Sequence, residues 1–263
     1  MAIYHKTFGK INWILKVFKK EENQKKHKID TVMQIYPARF DKIKIVKYHK
    51  LSVEYLYHGK TPFYVDNCSI TRIIKWINEF YPDINTNYYI KVKKFIPLSS
   101  GFGGESTDAA YVLRYILKKN RIKDLSEQEL LDIAQNVGSD IPFFYKKVFI
   151  AHVNEYGNRV VRLKYSIPFN PDVISFSCES RTKEIYEMLD EDKSYKSQIP
   201  DVKALYDEIK HGNIKKNTVY NDLQKYVFIK HPQIKKRFEE YERNEKAINF
   251  VNGAGSTLVT VKG

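Results

Sequence analysis

Residues 97–107 read Pro97-Leu98-Ser99-Ser100-Gly101-Phe102-Gly103-Gly104-Glu105-Ser106-Thr107, and this glycine-rich stretch is the most informative part of the sequence for the fold. Two segments of different periodicity flank it. Alternating apolar residues predict a strand from Tyr88 to Phe95, and apolar residues spaced three and four apart predict a helix from Thr107 to Lys119. The pattern is a strand, a glycine-rich loop and a helix in direct succession.

The glycines of this loop allow positive φ angles and a close backbone approach, so successive amides can point into one concavity. The helix N-terminus that follows favours phosphate oxygens, and Ser106 and Thr107 supply hydroxyl groups for capping, phosphate or Mg²⁺. The Gly-Lys-Ser/Thr ending of a Walker A loop is missing. Spacing alone therefore leaves a plain glycine-rich turn and a phosphate cradle both open.

Composition indicates an ordinary globular protein. The chain has 263 residues and a net charge of +14, and its lysines are scattered rather than gathered in a basic arm, which favours a solvated surface over a polyanion patch. Cys68 and Cys178 have no CxxC or Cys/His spacing, so we expect no disulfide framework and no zinc site. The sequence shows no secretion signal or membrane span, and we expect a cytoplasmic protein without nucleic-acid or membrane partners.

The residue pattern of the sequence changes near residue 165. Strand-like alternation dominates the first part, and Ser126 to Glu129 reads as a capping box that opens a second helix. After the change we predict a strand, several helices and a final strand, at 173–177, 184–189, 199–210, 231–243 and 257–261. We therefore predict two α+β domains, 1–165 and 166–263.

Several motifs, in order, resemble those of the GHMP kinases, a superfamily that includes galactokinase, homoserine kinase, mevalonate kinase and phosphomevalonate kinase. The glycine-rich loop is similar to their central motif. The other similar segments are Lys10-Ile11-Asn12, Gly138-Ser139-Asp140-Ile141-Pro142-Phe143-Phe144, Arg181-Thr182-Lys183-Glu184-Ile185-Tyr186, Asn221-Asp222-Leu223 and Gly253-Ala254-Gly255-Ser256-Thr257. Their common order along the chain makes coincidence a poor explanation.

The resemblance implies an α+β fold of two domains, the first like domain 2 of ribosomal protein S5 and the second ferredoxin-like. It implies a small-molecule kinase that uses ATP and Mg²⁺, with Lys10 and Asp140 as catalytic residues and Ser106 as a metal ligand. The implied ATP-binding residues are Asn67, Pro97, Ser99, Gly101, Gly103, Gly104, Glu105, Ser106, Thr107, Gly253, Gly255 and Ser256.

The similarity is greatest to a branch of the family whose small-molecule acceptor carries a cytidine diphosphate. It implies acceptor binding by Asn12, Lys26, His27, Thr182 and Tyr186. Lys26 stands where that branch has an aromatic residue, which predicts a one-sided clamp on the base.

A second departure is Glu105, which stands where the family has glycine and places a carboxylate beside the polyphosphate. Unless it points away or helps to hold Mg²⁺, it should repel ATP.

Two other hypotheses remain. The substitution at Lys26 is compatible with a related kinase for another acceptor, of the homoserine or mevalonate type. The charge of +14 together with Glu105 is compatible with a catalytically silent protein that binds nucleotides or RNA. We expect a monomer or a homodimer in each case.

Overall fold

The computed structural model describes residues 3–22, 24–57, 61–168, 170–197, 201–212, 215–216, 218–243 and 247–262. These ranges contain strands and helices in mixed order. The strands are β1 His5–Val17, β2 Ile29–Lys47, β3 Ser52–Tyr57, β4 Phe63–Tyr64, β5 Tyr88–Lys94, β6 Ile150–Glu155, β7 Arg159–Arg162, β8 Asp172–Ser175, β9 Tyr220–Asn221, β10 Ala247–Val251 and β11 Thr257–Lys262. The helices are α1 Ser69–Phe80, α2 Gly104–Lys119, α3 Glu127–Asn136, α4 Ile141–Tyr145, α5 Thr182–Glu191, α6 Val202–Ile209, α7 Gln224–Lys230 and α8 Pro232–Glu242.

The larger sheet is organised around β2, a strand of 19 residues that is long enough to pair with different neighbours along its length. It runs antiparallel to β1 over most of that length, to β6 at residues 29–34 and to β5 at residues 42–47. The strand order is β4-β3-β5-β2-β1-β9, with β6 and β7 continuing from β2. The loop of residues 95–103 leaves this sheet at the end of β5.

The helices α1, α2 and α4 pack together beside this sheet, and their apolar faces form much of one buried cluster. The smaller sheet, of order β10-β11-β8, is antiparallel throughout. A second buried cluster joins the two sheets, where the rings of Trp13 on β1 and Phe250 on β10 lie 5.8 Å apart. Within the described ranges, no helix is long and apolar enough to cross a bilayer.

The structure confirms the strand–loop–helix unit, although α2 begins at Gly104, three residues before the predicted start. The capping box is also confirmed: the Ser126 hydroxyl accepts the Glu129 amide at 3.2 Å, and Glu129 Oε2 accepts the Ser126 amide at 2.7 Å. The predicted helix at 199–210 is α6, and residues 198–200 lie outside the described residues. The domain boundary at residue 165 stays a prediction.

Candidate active site

A cleft of about 1540 Å³ lies where β1, the glycine-rich loop, the loop before α4, the helix α5 and the turn between β10 and β11 meet. Its lining includes most residues proposed from the sequence. These are Lys10, Asn12, Lys26, His27, Pro97, Ser99, Gly101, Gly103, Gly104, Glu105, Ser106, Asp140, Thr182, Tyr186 and Gly253. The cleft is therefore the candidate active site.

The glycine-rich loop enters α2 through Gly103, which caps the helix in the left-handed region with φ 71°. The Thr107 amide donates to the Gly103 carbonyl at 2.9 Å, so the amides of the first turn before it have no partner within the helix. A β-carbon at Gly103 would lie 3.2 Å from Asp140 Oδ2. The loop thus presents free helix amides beside a carboxylate.

Lys10 and Asp140 meet in the cleft although they are 130 positions apart in the chain. Their Nζ and Oδ2 atoms are 3.5 Å apart, the Lys10 side chain is 4% exposed and the Asp140 side chain is 26% exposed. Lys10 Nζ also donates to Asn12 Oδ1, and Asn12 Nδ2 donates to Thr31 Oγ1 at 2.9 Å. The ammonium is therefore held in place, while the carboxylate remains accessible from the cleft.

The turn between β10 and β11 closes the cleft from the C-terminal side. Asn252 Oδ1 accepts the Asn12 amide at 3.0 Å, and Asn252 Nδ2 donates to the Lys10 carbonyl at 3.2 Å. Asn221 Nδ2 supports the same turn by donating to the carbonyls of Val251 and Gly253, each at 2.7 Å. These amide side chains fix the turn against the strand that carries Lys10.

Glu105 is turned toward α1 by a hydrogen bond. Ser69 Oγ donates to Glu105 Oε2 at 3.0 Å, and Arg72 donates to Ser69 Oγ at 3.0 Å. The carboxylate remains exposed at the rim of the cleft. Its charge is therefore offset in part by the Arg72 guanidinium, one hydroxyl away.

The other end of the cleft contains aromatic side chains. The rings of His27 and Tyr186 are 4.9 Å apart, His27 Nδ1 lies 2.9 Å from the Phe18 carbonyl oxygen, and His27 Nε2 lies 3.1 Å from Asp190 Oδ1. Burial, with smaller contributions from the Asp140 and Asp222 carboxylates, raises the pKa of Tyr186. Tyr186 is therefore a neutral aromatic surface at this end.

Four residues proposed for ATP binding do not line the cleft. Asn67 is exposed before α1, Thr107 is buried one turn into α2, and Gly255 faces Ser180 and Val227. Ser256 is fully buried, and its amide donates to the Ser99 carbonyl at 2.7 Å. Ser256 thus contacts the backbone of the glycine-rich loop. Direct contacts of these four residues with ATP stay predictions.

Sequence reasoning missed three groups that line or support the cleft. Lys94 ends β5 and is buried in an ion pair with Asp108 at 2.8 Å, Arg72 follows the first turn of α1, and Asn252 precedes the glycines of the last turn. Among 45 lysines and arginines, single basic residues carry no distinguishing signal. The position of Lys94 immediately before the loop was the available clue.

The comparisons with known proteins agree with this geometry. Residues 69–147 match the family described as GHMP kinases N terminal domain. A 4-diphosphocytidyl-2-C-methyl-D-erythritol kinase from Ureaplasma parvum serovar 3 is 31% identical over 258 residues, 98% of this chain and 94% of the relative. The kinase of the same name from Ureaplasma urealyticum serovar 10 is 30% identical with the same coverage.

Among solved structures, a crystal structure of 4-(cytidine 5'-diphospho)-2C-methyl-D-erythritol kinase has the same fold, with a TM-score of 0.72. It is 20% identical, and the match covers 98% of this chain and 90% of that one. The relatives, the fold and the cleft together define a small-molecule kinase with the two-domain α+β fold of the GHMP kinases. Within that class, the chain belongs to the family of 4-diphosphocytidyl-2-C-methyl-D-erythritol kinases.

Proposed function

We propose that this protein transfers the γ-phosphoryl group of ATP to the 2-hydroxyl of 4-diphosphocytidyl-2-C-methyl-D-erythritol, a step of non-mevalonate isoprenoid precursor synthesis. The observation that carries the proposal is the pair Lys10 and Asp140 beside a glycine-rich helix N-terminus. The chain aligns over 98% of its length with relatives named for this reaction.

Asp140 is proposed as the base that orients the acceptor hydroxyl and takes its proton. Phosphoryl transfer has a loose transition state, so alignment of the hydroxyl with the phosphorus matters more than strong deprotonation. The Asp140 carboxylate suits this role because it is accessible from the cleft and lies 3.5 Å from a fixed ammonium. Lys10 would offset the negative charge that develops on the transferring group.

The phosphates of ATP are proposed to lie at the N-terminus of α2, where the amides of Gly104, Glu105 and Ser106 have no helical partner. Among the described residues, no cluster of three or more His, Cys, Asp or Glu side chains could hold a metal ion. Mg²⁺ needs no such cluster, because it binds mainly to substrate phosphates, water and one or two protein oxygens. Ser106 would supply the hydroxyl ligand, and Mg²⁺ would neutralise phosphate charge.

The acceptor is proposed to place its cytosine against Tyr186 and His27, with Thr182 at the start of α5 nearby. An aromatic face against a base contributes roughly 1–3 kcal/mol. This end of the cleft and the Lys10–Asp140 pair lie in one continuous cavity, so one ligand can reach both.

The decisive experiment measures ADP release by the purified protein with 4-diphosphocytidyl-2-C-methyl-D-erythritol, homoserine or mevalonate as acceptor. We expect turnover only with the cytidine compound, and a loss of about 10²–10⁴-fold in kcat for Asp140→Asn. Asp124→Asn, an exposed change of the same kind outside the cleft, should leave kcat unchanged. Turnover with homoserine or mevalonate alone would refute the acceptor, and full activity of Asp140→Asn would refute the base.

Two further parts of the proposal concern the state of the protein in the cell. We propose a cytoplasmic location, in keeping with the free thiols of Cys68 and Cys178. We also propose a monomer or homodimer, which light scattering after size-exclusion chromatography will distinguish from larger assemblies.

A further inference from the structure

Lys26 occupies the position where the family resemblance predicts an aromatic residue, and its ammonium group is bonded to a backbone carbonyl of α3. Its Nζ donates to the Ala134 carbonyl at 2.7 Å, in the last turn of α3. Its neighbour His27 remains at the base end, against Tyr186. Lys26 therefore lines the same cleft as His27, Tyr186 and Asp140.

A second cation, Arg72 of α1, lines the same cleft, and its charge acts on Lys26. Burial and the Arg72 charge lower the pKa of Lys26 to about 8, against the opposing effect of Asp140. Within the part of the chain that the structure describes, neither side chain forms an ion pair with a carboxylate. The Arg72 guanidinium donates instead to Ser69 Oγ.

The Asp140 and Glu105 carboxylates nearby offset these two cations only in part, so a further anion between a half-buried ammonium and a guanidinium is favourable. A phosphate group offsets both charges and accepts hydrogen bonds from both donors. We propose that Lys26 and Arg72 form a phosphate-binding pair that holds the diphosphate of the acceptor. This inference rests on the proposed function.

The position of Lys26 favours the acceptor as the source of the phosphate. The diphosphate of a cytidine diphosphate ester lies between its base and the hydroxylated chain that reacts. Lys26 is the chain neighbour of His27 at the aromatic end, and the charge of Asp140 acts on it, so Lys26 is near both ends of such an ester. The polyphosphate of ATP is the other source of the same chemistry, because Ser69, the partner of Arg72, contacts Glu105 of the glycine-rich loop.

The test is calorimetric binding of cytidine, CMP, CDP and a non-hydrolysable ATP analogue to the wild type, Lys26→Met and Lys26→Arg. We expect Lys26→Met to bind CDP about 10- to 100-fold more weakly, since it loses a charge-assisted hydrogen bond. Its affinity for cytidine should not change, and Lys26→Arg should retain most of the CDP affinity. Lys28→Met is the matched control, because Lys28 is paired with Glu155 at 2.9 Å outside the cleft.

A pH series provides a second measurement that a purely structural role would not affect. Lys26 is ammonium below pH 8 and neutral above it, so wild-type affinity for CDP should fall as the pH rises past 8. The phosphate charge is constant there because its second pKa is about 6. Lys26→Arg should remove this fall, since guanidinium stays charged.

Unchanged CDP affinity in Lys26→Met overturns the proposal, and so does a loss confined to the ATP analogue, which would assign the pair to ATP. CDP binding that depends on Lys26, without turnover of the cytidine acceptor, would overturn the proposed function and leave the pair standing. Turnover of the cytidine acceptor, together with a CDP affinity that does not depend on Lys26, would support the proposed function and overturn the phosphate-binding pair.

Discussion

The carbonyl oxygen of Asn252 lies so close to Gly101 that a β-carbon at residue 101 would come within 2.0 Å of it. Gly101 also has φ 79°, in the region that favours glycine. Beside this contact, the Ser256 amide donates to the Ser99 carbonyl at 2.7 Å. The glycine-rich loop and the last turn of the chain are therefore packed backbone against backbone.

Gly101→Ala should separate these two segments. Gly212→Ala is the matched control, because Gly212 has φ 84° but nothing lies within 4 Å of the position of its β-carbon. We expect the control to lower the free energy of unfolding by about 1–2 kcal/mol from backbone strain alone. Gly101→Ala should lower it further by about 1–3 kcal/mol and weaken ATP binding. Urea unfolding and ATP titration measure both, and equal effects of the two changes would contradict the contact.

Local signals account for what the sequence predicted. The capping box at Ser126 needs only residues three positions apart, and the glycine-rich loop is recognised from its glycines together with the order of the other motifs. Lys94 is different: its partners Asp41 and Asp108 are 53 and 14 positions away, and all three side chains are buried. In the sequence, a lysine that is buried in the folded protein cannot be distinguished from a surface lysine.

The direction in which a side chain points could likewise not be predicted from the sequence. The resemblance placed Lys26 among the acceptor-binding residues but left open where its side chain points, and the structure shows it bonded to a carbonyl at the end of α3. Glu105 shows the same limit, since its orientation depends on Ser69, a residue 36 positions earlier. Motif matching identified the residues at the cleft, and tertiary contacts set what each of them touches.

Tyr186→Ala should weaken the acceptor and leave ATP unaffected. The ring lies 4.9 Å from that of His27, and we propose that it carries the base. Loss of a stacking face of roughly 1–3 kcal/mol predicts an increase of about 5- to 100-fold in the KM for the acceptor. Tyr186→Phe keeps the ring and should stay near wild type. Steady-state kinetics with each substrate varied will show the effect, and a matching rise in the KM for ATP would argue for general disruption of the cleft.

Glu105→Gln should strengthen ATP binding. The carboxylate lies in the first turn of α2, where the phosphates are proposed to sit, and the exposed position limits the repulsion to about 1 kcal/mol. We expect the dissociation constant for ATP to fall about 3- to 5-fold. Glu127→Gln makes the same change in the first turn of α3, away from the cleft, and should have no effect. Weaker ATP binding in Glu105→Gln would instead support Glu105 as a ligand of Mg²⁺.

The buried group Lys94, Asp41 and Asp108 should make stability depend on pH. One ammonium serves two carboxylates: Lys94 Nζ donates to Asp108 Oδ2 at 2.8 Å and to Asp41 Oδ2, and the Thr7 hydroxyl donates to Asp108 Oδ1 at 2.6 Å. Burial, with a contribution from the Asp41 carboxylate and against the effect of Lys94, raises the pKa of Asp108 to about 7. The folded protein therefore binds a proton at Asp108 that the unfolded chain releases near pH 4.

Between pH 4 and 7 the unfolded state thus binds fewer protons at this residue, so its contribution to stability falls as the pH rises through that window. For one proton the slope is at most about 1.4 kcal/mol per pH unit. In Asp108→Asn this contribution should vanish, whatever the change in overall stability, while Asp124→Asn should keep the wild-type slope. Urea unfolding at pH 5, 6, 7 and 8 measures the difference, and parallel curves for the wild type and Asp108→Asn would mean that Asp108 is ionised throughout.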